Sequence, residues 1–274
     1  MQTNNPQELA MISRELRLSA LDALFKAGSG HPGSTFSSMD VLTVLYFGGF
    51  LKYDCNNPEW NERDYFLLSN GHAVPALYAV LAKAGYFDKT ELDKLRQIGA
   101  GAQGHSHRGS LPGIEISSGS LGQGLSVGIG LACTVQVKKT DQKIYVMMSD
   151  GEQEEGSTWE AVMLAVKLKL NNLIAIIDKN GMQIDGTTKH VMPSLDPLAE
   201  KYRAFGWNVS EIDGHNFEEI IATLATEKIT NCPRAIVSKT IRGKGVSFME
   251  NSPKWHAGKI TEEQYEQAKD ELKI

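Results

Sequence analysis

Residues 143–184 constrain the chain more than any other stretch. An apolar run, Ile144-Tyr-Val-Met-Met148, ends in Ser149-Asp150-Gly151; a second, Leu173-Ile-Ala-Ile-Ile177, ends in Asp178-Lys-Asn180-Gly181. An amphipathic segment of helical period separates them. Strand, crossover helix, strand is the parallel unit of an α/β sheet. The expected fold class is α/β, a central, mostly parallel sheet flanked by helices. Ligands in such sheets bind beyond the carboxyl ends of the strands. Asp150 and Asn180, thirty positions apart, sit at two such ends.

A carboxylate and an amide oxygen are hard ligands suited to Mg²⁺, with Ca²⁺ as the alternative. Gly151 permits a tight turn and the close approach of a phosphate. A helix beginning near Gly156 would add a favourable N-terminus if it faced that phosphate. These residues alone also fit a plainer reading, in which Asp-Gly and Asn-Gly simply turn the chain after two buried strands.

Four further segments decide between the readings. They are Ser29-Gly-His31-Pro-Gly33, Leu68-Ser-Asn-Gly-His72-Ala73, Gly119-Ser-Leu121-Gly-Gln-Gly124, and the pair Glu155 and Glu160. With Asp150-Gly151 and Asn180 they occur in one order, and that order resembles the transketolase branch of the thiamine diphosphate enzymes, across residues 10–260. The resemblance implies a thiamine diphosphate-binding fold. It implies Asp150 and Asn180 as side-chain metal ligands and Met182 as a ligand through its carbonyl. Gly151 would meet the diphosphate, the backbone at Gly119 and Leu121 would line the cofactor, and Ile184 would pack near the thiamine ring. His31, His105 and His256 would line the sugar side. His72 would lie near the diphosphate and the reacting centre, and His72 and His256 would both touch cofactor. Glu155 and Glu160 would meet their counterparts across a dimer interface and share protons there, as like-charged carboxylates do when brought together.

One departure stands out. The family carries Gly-His-Pro where this chain has Gly104-His105-Ser106, followed by an extra His107. Losing the proline is expected to loosen the loop and leaves room for a different substrate. His105 and His107 have no cysteine or second histidine pair nearby to complete a zinc site.

Elsewhere the periodicity predicts helices over 8–27, 38–47, 73–84, the fifteen residues after Gly124 (read as buried), 198–205, 216–229 and 261–272. Strands are expected at 64–68, 207–212 and 234–239. Residues 99–113 and 181–197 read as loops, the latter with a turn at Asp185-Gly186. His215 reads as a turn residue, Glu152 and Glu154 as acidic first-turn residues, and Arg242 and Lys244 as surface cations. Asn216 with Glu219, and Thr261 with Gln264, read as capping pairs.

With 28 basic and 33 acidic residues and a net charge of -5, no nucleic-acid footprint is expected. No apolar run is long enough for a membrane span. The polar start without a signal peptide, and Cys55, Cys133 and Cys232 without a disulfide framework, point to the cytoplasm. The 274 residues fit one domain, 1–274. No segment matches the family's second domain, which binds the aminopyrimidine and activates the cofactor. The expectation is the N-terminal subunit of a split transketolase. It would move a two-carbon ketol unit between sugar phosphates with a C-terminal partner subunit, in an α2β2 assembly. The alternatives are a transketolase-like subunit for a modified or sulfonated sugar, a 2-oxoacid dehydrogenase α subunit, or a non-catalytic Mg²⁺-dependent regulatory subunit.

Overall fold

The computed structural model describes residues 2–226 and 231–273. The chain begins with α1 (Pro6–Ala27), started by the Asn5 side chain accepting from Gln7 N at 2.9 Å and stopped at Gly28 with φ of 64°. Next come α2 (Pro32–Ser37), α3 (Met39–Phe47), β1 (Tyr65–Leu68) and α4 (Val74–Ala84). A long irregular stretch leads to α5 (Gly124–Lys138), β2 (Ile144–Ser149), α6 (Gly156–Lys167) and β3 (Leu173–Lys179). Two short strands, β4 (Met182–Gln183) and β5 (Gly186–Thr187), precede α7 (Thr188–Val191) and α8 (Leu198–Ala204). The order closes with β6 (Asn208–Asp213), α9 (Phe217–Ala225), β7 (Arg234–Lys239) and α10 (Glu262–Leu272). The expected end of α9 at Ile229 lies outside the described residues.

The main sheet has the order β1-β2-β3-β7-β6, and every neighbouring pair is parallel. Its strands alternate between two cores, as a two-residue side-chain period requires. Tyr145 and Met147 face one layer with Ile174, Ile176, Ile236 and the apolar faces of α1, α3 and α4. Val146 and Met148 face the other with Ala175, Ile177 and side chains of α5, α6 and α8. Helices thus cover both faces, which is why β2 and almost all of β3 are buried along their length.

The register aligns the strand ends. Ser149 pairs with Asp178, Asp178 with Ser238, and Lys179 with Lys239. The residues after β1, β2, β3 and β7 therefore emerge at one edge, where the order switches from β3 to β7.

Several local expectations are corrected. Residues 181–197 hold the β4–β5 hairpin and α7 rather than only loop, because Thr188 N returns to Gly181 O at 2.9 Å and closes a compact unit. The α5 helix is buried on one side only, with Val127 43 % and Val137 82 % exposed. A 3₁₀ turn, Gly151–Glu154, intervenes before α6, so the amides nearest Asp150 belong to that turn and not to the Gly156 helix.

Candidate active site

Asp150 ends β2 and ties two strand ends together. Its Oδ1 accepts from Gly151 N at 2.9 Å and its Oδ2 from Gly181 N, just past β3, at 2.6 Å. Asn180 is fixed at both ends of its amide. Met182 N donates to its Oδ1 at 3.1 Å, and its Nδ2 donates to Asp178 Oδ2 at 3.1 Å. Asp178 also accepts from Ser37 Oγ at 2.7 Å, Ser38 Oγ at 3.2 Å and Thr240 Oγ1.

Burial, then the charge of Asp178, pushes the Asp150 carboxyl up to about 7. The counter-cation is Arg242, whose own basicity burial lowers while Asp150 and Asp178 oppose that. Arg242 is 1 % exposed, and its Nε and Nη1 have no hydrogen-bond partner among the described residues. The expectation of a surface cation is thus corrected for Arg242. Two buried carboxylates against one guanidinium leave the pocket short of positive charge. Each Asp150 oxygen accepts a single N–H and keeps acceptor capacity. The Asp150 carboxylate, the Asn180 amide oxygen and the Met182 carbonyl are all oxygen donors. The residues therefore fit a hard divalent cation with a diphosphate.

Four histidines face this centre. His31 has non-helical angles, φ -120° and ψ 75°, set by Pro32 behind it. Its ring centroid lies 5.5 Å from that of His72, 5.8 Å from His105 and 5.4 Å from His256, and His72 and His256 are 5.6 Å apart. Burial, then the neighbouring His256 and His105, lowers His31 to about 4. Burial and then Arg242 lower His256 to about 4. His72 and His105 are lowered as well, first by burial. All four are neutral at neutral pH, so each offers one donor and one acceptor. Arg242 Nη2 bonds His256 Nδ1. A guanidinium only donates, so that nitrogen accepts and Nε2 carries the proton. His72 Nε2 lies 3.0 Å from Ser34 Oγ.

These residues line one pocket of about 330 Å³. It brings together His31, His72, His105 and His256 with Gly119, Leu121, Asp150, Gly151, Asn180, Met182 and Ile184. Ile184, on the β4–β5 turn, is 71 % exposed at the pocket edge. Glu155 and Glu160 do not join the pocket; both are exposed at the start of α6. A second hollow of about 670 Å³ shares His105 and carries Arg96, His107 and the serines 106, 110, 117 and 118. His107 itself is exposed. A groove of about 490 Å³ between α1, α4 and α10 collects lysines but no convergent chemistry.

Two expectations change here. Glu152 is not a plain first-turn acid. It is fully buried and accepts from Ser69 Oγ, from Gly122 N at 2.9 Å and from Ser149 N at 3.2 Å, with burial pushing its carboxyl up. His215 does lie in a turn, but its largely buried ring also joins two elements: Nδ1 meets Asp40 Oδ2 at 2.7 Å and Nε2 accepts from Ile241 N at 2.8 Å. Asp178, Arg242 and Ser34 are site residues that sequence reasoning missed. For Asp178 a signal exists, a charge closing an apolar run two residues before Asn180; for Arg242 nothing in the sequence separates it from Lys244.

Residues 9–274 match the family model described as transketolase, thiamine diphosphate binding domain. The chain is 43% identical to a subunit of the apulose-4-phosphate transketolase of Phocaeicola vulgatus, over 96% of this chain and 92% of that protein. It is 44% identical to the 6-deoxy-6-sulfo-D-fructose transketolase subunit SqwG of Clostridium sp. (strain MSTE9), over 97% and 95% respectively. Among solved structures, the transketolase of Campylobacter jejuni superposes with a TM-score of 0.91 at 34% identity, covering 98% of this chain and 43% of that one. The chain thus spans about two fifths of the length of the solved transketolases it matches.

Proposed function

Because the chain belongs to the transketolase family, as a thiamine diphosphate-binding subunit of a transketolase-type enzyme, we propose that it holds the diphosphate end of the cofactor and completes its active site with a companion subunit. The observation that carries this reading is the single pocket in which the Asp150–Asn180 oxygen pair lies beside four neutral imidazoles. Asp150, Asn180 and the Met182 carbonyl would hold Mg²⁺, and Gly151 would leave room for the diphosphate. When bound, thiamine diphosphate supplies the nucleophilic carbon that takes a two-carbon unit from a ketose to an aldose. The histidines act on the sugar. His31, His105 and His256 orient its hydroxyls and exchange protons with them, and the proton on His256 Nε2 is available for donation because Arg242 occupies Nδ1.

A modified ketose suits the chain better than the common pentose phosphates. The relatives it matches along nearly their whole length are named for apulose 4-phosphate and for 6-deoxy-6-sulfo-D-fructose. The hollow beyond His105 offers donors to a terminal phosphate or sulfonate from Arg96 and from the Ser117 hydroxyl, which accepts from Arg108 N and keeps its own proton. A 2-oxoacid dehydrogenase α subunit is set aside by the family match over residues 9–274.

The companion would carry the pyrimidine-binding domain, in an α2β2 assembly, with residues 1–274 acting as one unit. Five of the exposed large apolar side chains support a protein interface: Val127 and Val137 on α5, Met163 and Leu164 on α6, and Leu168 just after it. Glu155 and Glu160 at the exposed start of α6 would meet carboxylates across that assembly. No helix of the described residues is long and apolar enough to cross a membrane, and the proposed setting is the cytoplasm.

The test is two-carbon transfer by the chain alone and by the co-purified complex, with thiamine diphosphate and Mg²⁺. Donors would be xylulose 5-phosphate, apulose 4-phosphate and 6-deoxy-6-sulfo-D-fructose. Activity in the complex only, abolished by Asp150→Ala and highest on a modified ketose, is the expected result. Activity of the chain alone would sink the two-subunit reading, and a preference for xylulose 5-phosphate would sink the substrate reading.

A further inference from the structure

Between Leu95 and Gln123 the chain forms neither helix nor strand, yet His105 must be held over the pocket from within this stretch. We infer that the Ser106 hydroxyl is the lock that holds it, so that Ser106 is a positioning residue acting through His105. The functional half of this inference rests on the reading that His105 faces the substrate.

Ser106 is 3 % exposed, unusual for a serine in an irregular loop. Its Oγ donates to Ile116 O at 2.9 Å. A hydroxyl has one proton, so the contact with Ser118 Oγ at 2.5 Å has Ser118 donating. Ser118 N donates to Ser106 O at 2.9 Å, and Arg108 N to Ser117 Oγ at 3.0 Å. Four hydrogen bonds thus join residues 106–108 to residues 116–118. The second of these stretches is itself fixed against the pocket floor. A Cβ on Gly71, next to His72, would come within 2.1 Å of Ser118 Oγ, so Ser118 sits directly against that backbone. A Cβ on Gly119 would reach 3.4 Å from the His105 ring, so the ring rests on the glycine that faces the cofactor side.

These bonds tell against the expectation that losing the family's proline loosens the loop. A proline stiffens by fixing φ and by holding the residue before it extended. Here a buried hydroxyl with two side-chain bonds does the same job by cross-linking. Removing it leaves the Ile116 carbonyl and the Ser118 hydroxyl without their partner in a buried setting, which favours rearrangement of the loop.

The test uses the enzyme assembled with its companion subunit. Ser106→Ala is expected to lower kcat/KM about tenfold, since an ångström of misplacement costs up to a hundredfold. His105→Ala should lower it at least as much. Adding Ser106→Ala to His105→Ala should then cost nothing further, because residues acting as a unit are non-additive. Ser106→Pro loses the same hydroxyl bonds but should recover most of the loss by fixing the backbone: the Ser106 N–H makes no hydrogen bond among the described residues, so proline removes no backbone bond. Ser118→Ala, which removes one of the two hydroxyl contacts, should show a smaller loss and covers the case of a poorly folding Ser106→Ala. Amide hydrogen exchange over residues 104–118 should quicken in Ser106→Ala and slow again in Ser106→Pro. Unchanged exchange in Ser106→Ala overturns the lock. Additive losses in the double variant, or a Ser106→Pro variant as impaired as Ser106→Ala, overturn the positioning role. A silent His105→Ala overturns the substrate-facing reading of His105, while the exchange result still stands or falls separately.

Discussion

Asn180 Nδ2 donates to Asp178 Oδ2 at 3.1 Å, and Asp178 in turn collects the hydroxyls of Ser37, Ser38 and Thr240. The amide of the proposed metal ligand therefore cannot turn over: its nitrogen is held by a carboxylate and its oxygen by Met182 N. Partners behind a ligand set its orientation, and their loss commonly costs ten- to hundredfold in metal affinity. Asp178→Asn, which removes the charge and one acceptor, should weaken Mg²⁺ binding roughly tenfold in calorimetric titration with thiamine diphosphate present. Unaltered affinity would leave Asp178 as a packing residue only.

The lowered histidines give a pH dependence of defined sign. His31 and His256 have folded values near 4 against 6.5 for the free group. The unfolded chain therefore binds more protons between those limits, and this contribution to stability falls as pH drops from about 6.5 to about 4. Asp150, raised to about 7, acts in the opposite direction in the metal-free chain, so the clean measurement is a difference. Urea unfolding of His31→Gln against the parent, from pH 4 to 7, should show a flatter loss toward acid in the variant. A parallel pair of curves would contradict the lowered value.

Arg242→Met removes the cation that lowers both His256 and His31. Burial, the larger cause, remains, so both imidazoles should titrate higher than in the parent but still below 6.5. Nitrogen-15 resonances of the two rings read this directly. His256 should also lose its fixed tautomer, because Nδ1 is no longer held as an acceptor.

Glu152→Gln replaces an acceptor for three donors with an amide that can present only one oxygen. Ser69 Oγ, Gly122 N and Ser149 N cannot all be satisfied. Leaving one buried donor unpaired should lower unfolding stability by about 1–3 kcal/mol in urea. A neutral effect would mean that the three segments hold their places without it.

The sequence makes the fold class legible because apolar runs ending in Asp-Gly and Asp-Lys-Asn-Gly leave few topologies open. It also makes the pocket legible wherever a residue carries a recognisable neighbour, as His31 does with Pro32 and His72 with Gly71. Glu152 and Arg242 are harder. Each looks like an ordinary surface charge until tertiary packing removes its water, and burial cannot be read from a single charged residue in a loop. Ser106 misleads for a related reason. A missing proline is visible in sequence, whereas a hydroxyl reaching Ile116 O and Ser118 Oγ across ten and twelve residues is not. The apolar composition of α5 hides the opposite error, since an apolar helix face reads the same whether it is exposed or turned to a core.

His31 and His256 meet edge to face at 5.4 Å although more than two hundred residues separate them in sequence. Two backbone bonds beside them, Gly258 N to Gly30 O at 2.9 Å and Gly243 N to Gly33 O at 3.0 Å, close that same span. Closing so long a span costs loop entropy that the contacts themselves must offset. The histidine cluster is accordingly assembled from two parts of the chain: His31 meets His72 and His105 within the first 105 residues, and His256 is brought to them by a segment tied down at Gly30 and Gly33.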